Sequence, residues 1–321
     1  MNYIKGKVSV IIPTYKRSDT LSRAIKSVAR QTYKNIEILV VDDNEPGDEY
    51  SKSVAELISS LNLENLHLVT QERHINGAAA RNAGIRHARG EYIAFLDDDD
   101  LWMPNKIELQ VEALSKLDDS YGGVSTRKIY YLNGRQSHIS EVWKANKKQN
   151  FDIMSKKLNV STCTLLLKHE CLDKAGYFDE ALRRHQEVQL LSYFTAIYKI
   201  AFVEEILTII DCSDIGNRPT AQRLLEIKND FFKSIATVLN NYSKHKRRLV
   251  KAHNMTEVAW AFYRDGEKKK GLSMLFACLI HPSVAFTFLS RVYNKKKAKK
   301  ALLNYDAATI NKVKDYVDSI I

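Results

Sequence analysis

Asp97, Asp98, Asp99 and Asp100 form an uninterrupted run directly after the apolar segment YIAFL. Adjacent carboxylates repel one another, so such a run lowers stability unless something neutralises it. Hard divalent cations such as Mn²⁺ or Mg²⁺ prefer carboxylate oxygens, and one or two carboxylates suffice when a diphosphate supplies further ligands. A cation held there would act as a Lewis acid on a nucleoside-diphosphate leaving group. The plain alternative is a solvated acidic turn. A position at the end of a buried apolar strand weighs against it.

The segments around this run alternate. Lys7 to Ile12 (KVSVII) reads as a buried strand closed by Pro13, and Ser18 reads as the cap of a helix bearing Leu21, Ala24, Ile25 and Val28. Ile36 to Val41 is a second strand ending in Asp42-Asp43, Val54 to Leu61 a helix, and Leu66 to Thr70 a third strand. Ala78 to Ala88 is helical and stopped by Gly90, Tyr92 to Leu96 is a fourth strand, and Pro104 opens a helix to about Leu117. Single helices between strands predict an α/β fold with a mostly parallel, doubly wound sheet. Such sheets bind ligands outside the carboxyl ends of their strands. The segments Pro13-Thr14-Tyr15-Lys16-Arg17, Asp42-Asp43-Asn44 and the four aspartates should therefore share one edge.

Past Tyr121 the pattern is mixed. Val160 to Leu167 looks extended, His169 to Ala175 helical, Gly176 to Glu180 a turn and Glu187 to Ile197 helical. Extended pieces follow at Ile200 to Val203 and Leu207 to Asp211, and from Thr220 onward only helices are expected. A boundary near Arg218-Pro219 divides residues 1–218 from a helical region, 219–321.

Three segments, KVSVIIPTYKR, LVVDDN and NGAAARNAGIRHARGEYIAFLDDDDLWMP, occur in the order found in family 2 glycosyltransferases, and the chain resembles that family over roughly residues 7 to 110. A weaker likeness through Gly176-Tyr177-Phe178-Asp179-Glu180 extends to about residue 215. The resemblance implies a GT-A fold (Rossmann-like, a central sheet with flanking helices) with a C-terminal helical extension. It also implies inverting transfer from a nucleotide-sugar, and an Asp-x-Asp motif that holds Mn²⁺ or Mg²⁺ on the donor diphosphate. Asp97 and Asp99 occupy the motif positions, Asp99 as the direct ligand, with Asp98 and Asp100 supporting. Pro13, Thr14 and Tyr15 would line the base pocket, with Asp42 accepting from the base. A carboxylate can accept from the N3–H of uracil, and Tyr15 offers an aromatic face. Arg73 and Arg81 would approach the donor phosphates or sugar, or serve as structural ion-pair partners.

An inverting transfer needs a base for the acceptor hydroxyl, and a carboxylate can serve. In the family this is usually an aspartate shortly after the segment matched here by GYFDE. Glu187 falls at that position, a departure that shifts the carboxylate by about one methylene, and such displacements matter for rate. Asp179, Glu180 and His185 are the rivals; the first two read as organisers of an acceptor loop.

The net charge of +11 sits in the last third, where 20 Lys+Arg face 8 Asp+Glu from Pro219 to the end. Leu272 to Ser290 contains no charged residue; Lys268-Lys269-Lys270 precede it, and Arg291 and Lys295-Lys296-Lys297 follow. His281-Pro282 breaks it, which favours two short helices, either packed together or dipping into anionic lipid at the inner leaflet. The resemblance implies a glycan acceptor carried on polyprenyl diphosphate, extended by peripheral membrane enzymes. Cys163, Cys171, Cys212 and Cys278 lack C-x-x-C spacing, and the apolar run before Pro13 is too brief for a signal-peptide core, so a cytoplasmic location is expected.

The expected reaction is transfer of a hexosyl or N-acetylhexosaminyl residue from a UDP-sugar to a cell-surface glycan precursor. A dinucleotide-binding oxidoreductase is excluded by the lack of any glycine in PTYKR, and no Walker A motif is present. A nucleic-acid-binding protein would leave the aspartates unexplained. A silent relative that binds UDP-sugar or glycan without turnover remains the other alternative.

Overall fold

The apolar run that opens the chain becomes the middle of the sheet. Strand β1 (Ile4–Thr14) fully buries Val8, Val10, Ile11 and Ile12, as a strand covered by helices on both faces must. It pairs in parallel with β2 (Ile36–Asp42), which pairs in parallel with β3 (Leu66–Thr70); on its other side β1 pairs in parallel with β4 (Gly90–Phe95). The crossovers are α1 (Leu21–Ala29), α2 (Glu49–Leu61) and α3 (Gly77–His87). The computed structural model describes residues 3–132, 134–142, 148–213, 218–290 and 307–320.

After β4 the chain runs through β5 (Leu101–Trp102), α4 (Lys106–Ser115), β6 (Tyr121–Leu132), β7 (Arg135–Ile139), α5 (Gln149–Met154), β8 (Leu165–Lys168), α6 (His169–Ala175), α7 (Gln186–Ile197) and β9 (Lys199–Asp211). Among the described residues the sheet order is β3-β2-β1-β4-β8-β6-β9-β5, with β7 paired to β6. Strand β8 runs antiparallel to both β4 and β6, whereas β6 and β9 are parallel. The fold is α/β with a mixed sheet. Parallel pairing holds through β1–β4, and β8 reverses it.

Several local expectations change. Helix α1 begins after Thr20 with no side-chain cap, so Ser18 is not its cap. Gly90 does not stop α3 but opens β4, where a Cβ would lie 2.6 Å from the Lys7 carbonyl oxygen on β1; close strand approach is the reason for glycine here. The two extended pieces near residues 200 and 210 are one strand, β9. The β6–β7 hairpin was not resolved from the sequence. Its long strand lies mid-sheet with polar Ser125, Thr126 and Lys128 buried, which hides any simple alternation.

Thr220 caps α8 (Ala221–Ser234), accepting from the Arg223 N–H. Then come α9 (Ala236–Asn240), α10 (Lys244–Arg264), α11 (Lys268–Leu279), α12 (Pro282–Ser290) and α13 (Ala307–Ile320). Phe231, Ile235, Val238, Leu239 and Val250 share one core with Ile11, Phe95 and Phe194, so these helices close over the sheet face that carries α3 and α7. Helix α13 returns to the far part of the sheet, with Val313 and Val317 among Ile129, Tyr131 and Leu207. Helices α11 and α12 meet at 116°, a bend at the expected break, and no single described helix is long and apolar enough to cross a membrane. Arg291 and Lys295, Lys296 and Lys297 lie outside the described residues.

Candidate active site

The carboxyl ends of β1, β2 and β4 meet at one edge, as parallel pairing requires. The Leu96 N–H donates to the Ile11 carbonyl and so extends the ladder to the brink of the aspartate run, which then turns as the Asp100 N–H reaches the Asp97 carbonyl at 3.1 Å. The turn gives each carboxylate a different neighbour. Asp97 accepts from Arg81 Nη2 at 2.5 Å, and Asp98 accepts from Thr14 Oγ1 at 2.8 Å. Arg17 Nη1 pairs with Asp99 and stands 3.6 Å from Asp98. Asp100 is buried and accepts from the Asp211 N–H at 3.0 Å, where β9 ends.

Two arginines for four carboxylates leave negative charge in excess. Burial and the Asp99 charge push Asp98 up to about 7, against the Thr14 hydrogen bond. Burial and Asp97 raise Asp99, and burial with Asp97 and Asp99 raises Asp100 well above the carboxylate range. Raised values mean charge that lacks compensation, which a divalent cation relieves. The ligand atoms of Asp97, Asp100 and Cys163 lie within 4.8 Å of one another. Burial holds the Cys163 thiol well above its ordinary value, so it stays protonated and the hard donors are the carboxylates. The donor set fits Mg²⁺ or Mn²⁺.

At the end of β1, Thr14 is buried against Asp98, and the backbone turns through Lys16 at φ 55°, with the Lys16 N–H held by Asn44 Oδ1. The Tyr15 ring stacks on His74 at 3.9 Å between centroids. Asp42 faces inward: its oxygens accept from the Asn44 N–H, Asn44 Nδ2 and Ser51 Oγ. The carboxylate beneath the Tyr15–His74 stack is Asp43, which meets His74 Nδ1 at 3.0 Å and accepts from the Ile75 N–H at 3.1 Å. Arg73 is exposed on the loop after β3. It is not drawn into the arginine–aspartate cluster as Arg81 is.

Glu187 is the second residue of α7 and half-buried. It stands at the end of α7 that lies beside the aspartate edge, next to Gln186, which is joined to Asp97 through Arg81. Helix α7 is aimed there by Gln186, which accepts from Arg81 Nη1 at 3.3 Å and donates to the Leu182 carbonyl at 2.7 Å. The rivals are engaged elsewhere. Asp179 accepts from the Ala181 N–H and Ser234 Oγ, and Glu180 accepts from Asn82 Nδ2 at 2.8 Å. His185 sits at φ 64° edge-on to Phe231, and burial with the Lys228 charge pushes it down to about 2. It is a neutral, packed imidazole.

Two residues of this site escaped the sequence reading. Arg17 lies in the PTYKR segment, placed at the right edge, but nothing in the segment singled it out. Lys128 is buried on β6 with Nζ 2.5 Å from Ser161 Oγ, and burial lowers it to about 8 while the Cys163, Asp100 and Glu187 charges oppose the drop. A lone lysine in a segment of unread structure carried no signal.

Fold and carboxylate edge together define a GT-A domain. Among solved structures, Staphylococcus aureus TarS 1–349 in complex with UDP is similar, with a TM-score of 0.61 at 17% identity over 94% of this chain and 92% of that one. The Pyrobaculum calidifontis mannosyltransferase PcManGT in complex with GDP-Man and Mn²⁺ is similar at TM-score 0.58 and 18% identity, over 95% and 85%. The profile of Glycosyl transferase family 2 matches residues 9–185, and the chain belongs to that family. An uncharacterized glycosyltransferase of Rickettsia typhi is 30% identical over 302 residues, 90% of this chain and 91% of that protein. An Escherichia coli UDP-Glc:alpha-D-GlcNAc-diphosphoundecaprenol beta-1,3-glucosyltransferase is 40% identical over 114 residues, 36% of this chain and 43% of that protein.

Proposed function

We propose that the protein transfers a hexosyl or N-acetylhexosaminyl residue from a UDP-sugar to a hydroxyl of a lipid-linked glycan precursor, with inversion at the anomeric carbon. The observation that supports this is the carboxylate edge of Asp97 to Asp100 at the ends of parallel strands, linked through Arg81 and Gln186 to the start of α7. The names of the E. coli relative and of the UDP-bound neighbour support the donor and acceptor classes.

Pro13, Thr14 and Tyr15 would line the base pocket, with the Tyr15 ring as the stacking face. Asp42 or its neighbour Asp43 would accept the N–H of the base; in this structure Asp42 is held by Asn44 and Ser51, and Asp43 by Gln71, His74 and Ile75. Asp97 and Asp99 would hold the divalent cation, with Asp98 and Asp100 alongside. When bound, that cation neutralises charge on the departing diphosphate. Arg17 and Arg81, paired with Asp99 and Asp97, are the basic side chains at this edge that would meet the donor phosphates, with Arg73 on the outer loop. Glu187 takes the proton of the acceptor hydroxyl as its oxygen attacks C1 opposite the diphosphate. The new glycosidic bond forms, and the bond to phosphate breaks with its electrons on UDP. The reaction belongs in the cytoplasm, where nucleotide-sugars are made.

A panel of nucleotide-sugars, each with and without Mn²⁺, tests the reading through UDP release and thermal protection. A UDP-sugar that protects the protein but is never turned over points to the silent-relative alternative. Protection by no nucleotide-sugar overturns the assignment.

A further inference from the structure

The bent pair α11–α12 is packed on one side only. Gly271 lies so close to α10 that a Cβ there would come within 2.6 Å of the Tyr263 nitrogen, and Cys278 and Val284 are buried. The opposite side is apolar and open: Leu272 is 55% exposed, Phe276 72%, Ile280 65%, Phe286 75% and Leu289 64%. Leu272, Phe276 and Ile280 recur every fourth residue, so they form one stripe along α11. The four most exposed large apolar side chains among the described residues all fall in this pair. Scattered apolar exposure is ordinary; a continuous patch is not.

Charge surrounds the patch. Lys268 stands one turn before Leu272 on the same stripe, beside exposed Lys269 and Lys270. At the other end, the His245 ring of α10 lies 6.5 Å from the His281 ring at the bend, bringing exposed Lys244, Lys246 and Arg248 near it. The limbs of 12 and 9 residues, bent by 116°, are each too short to span a bilayer. A helix pair with one apolar face and a basic margin is suited to lying in the interface of an anionic membrane.

We propose that α11 and α12 dock the protein onto anionic phospholipid, with Phe276, Ile280, Phe286 and Leu289 entering the acyl boundary and the surrounding lysines meeting the headgroups. This surface is separate from the aspartate edge and goes beyond the transfer reaction.

Flotation of the full chain with vesicles of phosphatidylcholine alone, or with about a third phosphatidylglycerol, tests the proposal. Wild type is expected to float with the anionic vesicles and to be released by salt. The double variant Phe276→Ser, Phe286→Ser removes only exposed groups, so its melting temperature stays unchanged while binding falls by roughly tenfold or more. Each of Lys268→Glu and Lys269→Glu weakens binding by at least roughly fivefold, the equivalent of ~1 kcal/mol per basic charge. UDP release toward a soluble acceptor, read in parallel, is unchanged in these variants, which separates failure of docking from failure of the proposed reaction. Equal flotation of wild type and the double serine variant overturns the proposal. So does a lipid-free dimer that the serine variant dissociates, because the face then serves a second copy of the chain.

Discussion

Two charged clusters meet the start of α7, and they are built from similar parts to opposite effect. On one side, Asp97 to Asp100 outnumber Arg17 and Arg81, and burial with mutual repulsion raises Asp98, Asp99 and Asp100. On the other, Lys156 and Lys228 converge on Glu257 at 2.9 and 2.8 Å, and Lys228 also donates to Asn254 at 3.1 Å. Burial opposes the Glu257 charge, yet the two lysines hold it far below the carboxylate range. One cluster has unspent charge, the other a satisfied carboxylate. Uncompensated charge at a sheet edge has a use only if a ligand arrives, whereas a closed ion network holds helices together. Predictions that separate ligand-binding from stability therefore test the contrast.

The largest effect is expected from Glu187→Gln. It keeps the shape of the side chain and removes the base, so kcat falls by about 10²–10⁴-fold, with melting temperature and donor protection retained. Near-wild-type turnover places the base elsewhere. Asp99→Ala comes next: UDP affinity loses its dependence on Mn²⁺, a change of about a hundredfold by calorimetry, while stability stays level or rises because a repelling carboxylate has gone. An unchanged response to Mn²⁺ refutes the role.

On the other side of α7 the signature reverses. Glu257→Gln leaves Lys156 and Lys228 facing each other and costs about 2 kcal/mol in urea unfolding, less than a fully buried pair because Glu257 is 45% exposed. Donor affinity is unaffected. Loss of donor binding at unchanged stability contradicts the division of roles.

The smallest effect is a pH slope. His185 is held at about 2 when folded against 6.5 for an unperturbed imidazole. The unfolded chain takes up a proton that the folded protein refuses, so stability present above pH 6.5 is lost as pH falls toward 2. His185→Asn tolerates the left-handed backbone and removes that proton. Between pH 6.5 and 5, wild type should lose about 1.5 kcal/mol more than the variant, measured by urea midpoints. Parallel curves remove His185 from the account.

The parallel half of the fold was legible because β1, β2 and β4 are largely buried on both faces and the strands are separated by helices, so each strand end could be placed before any distance was known. Glu187 was singled out by its offset from GYFDE, and it lies in the first turn of α7. Lys128 was not, since it lies in β6, whose buried Ser125 and Thr126 obscure the pattern. The partners of Asp42 and Asp43 were equally beyond reach, because adjacent residues on a strand point to opposite faces, and only the tertiary structure sets Ser51 against one and His74 against the other.

What the sequence by itself determined is the family, the sheet edge that carries the aspartates and the break at His281-Pro282, because local periodicity and motif order suffice for each. Only the tertiary structure decided which arginine answers which aspartate, that β8 reverses the sheet, and that the side of α11–α12 away from α10 is open. Those depend on contacts between residues far apart in the chain, and a contact's geometry is set by the packing of everything between them.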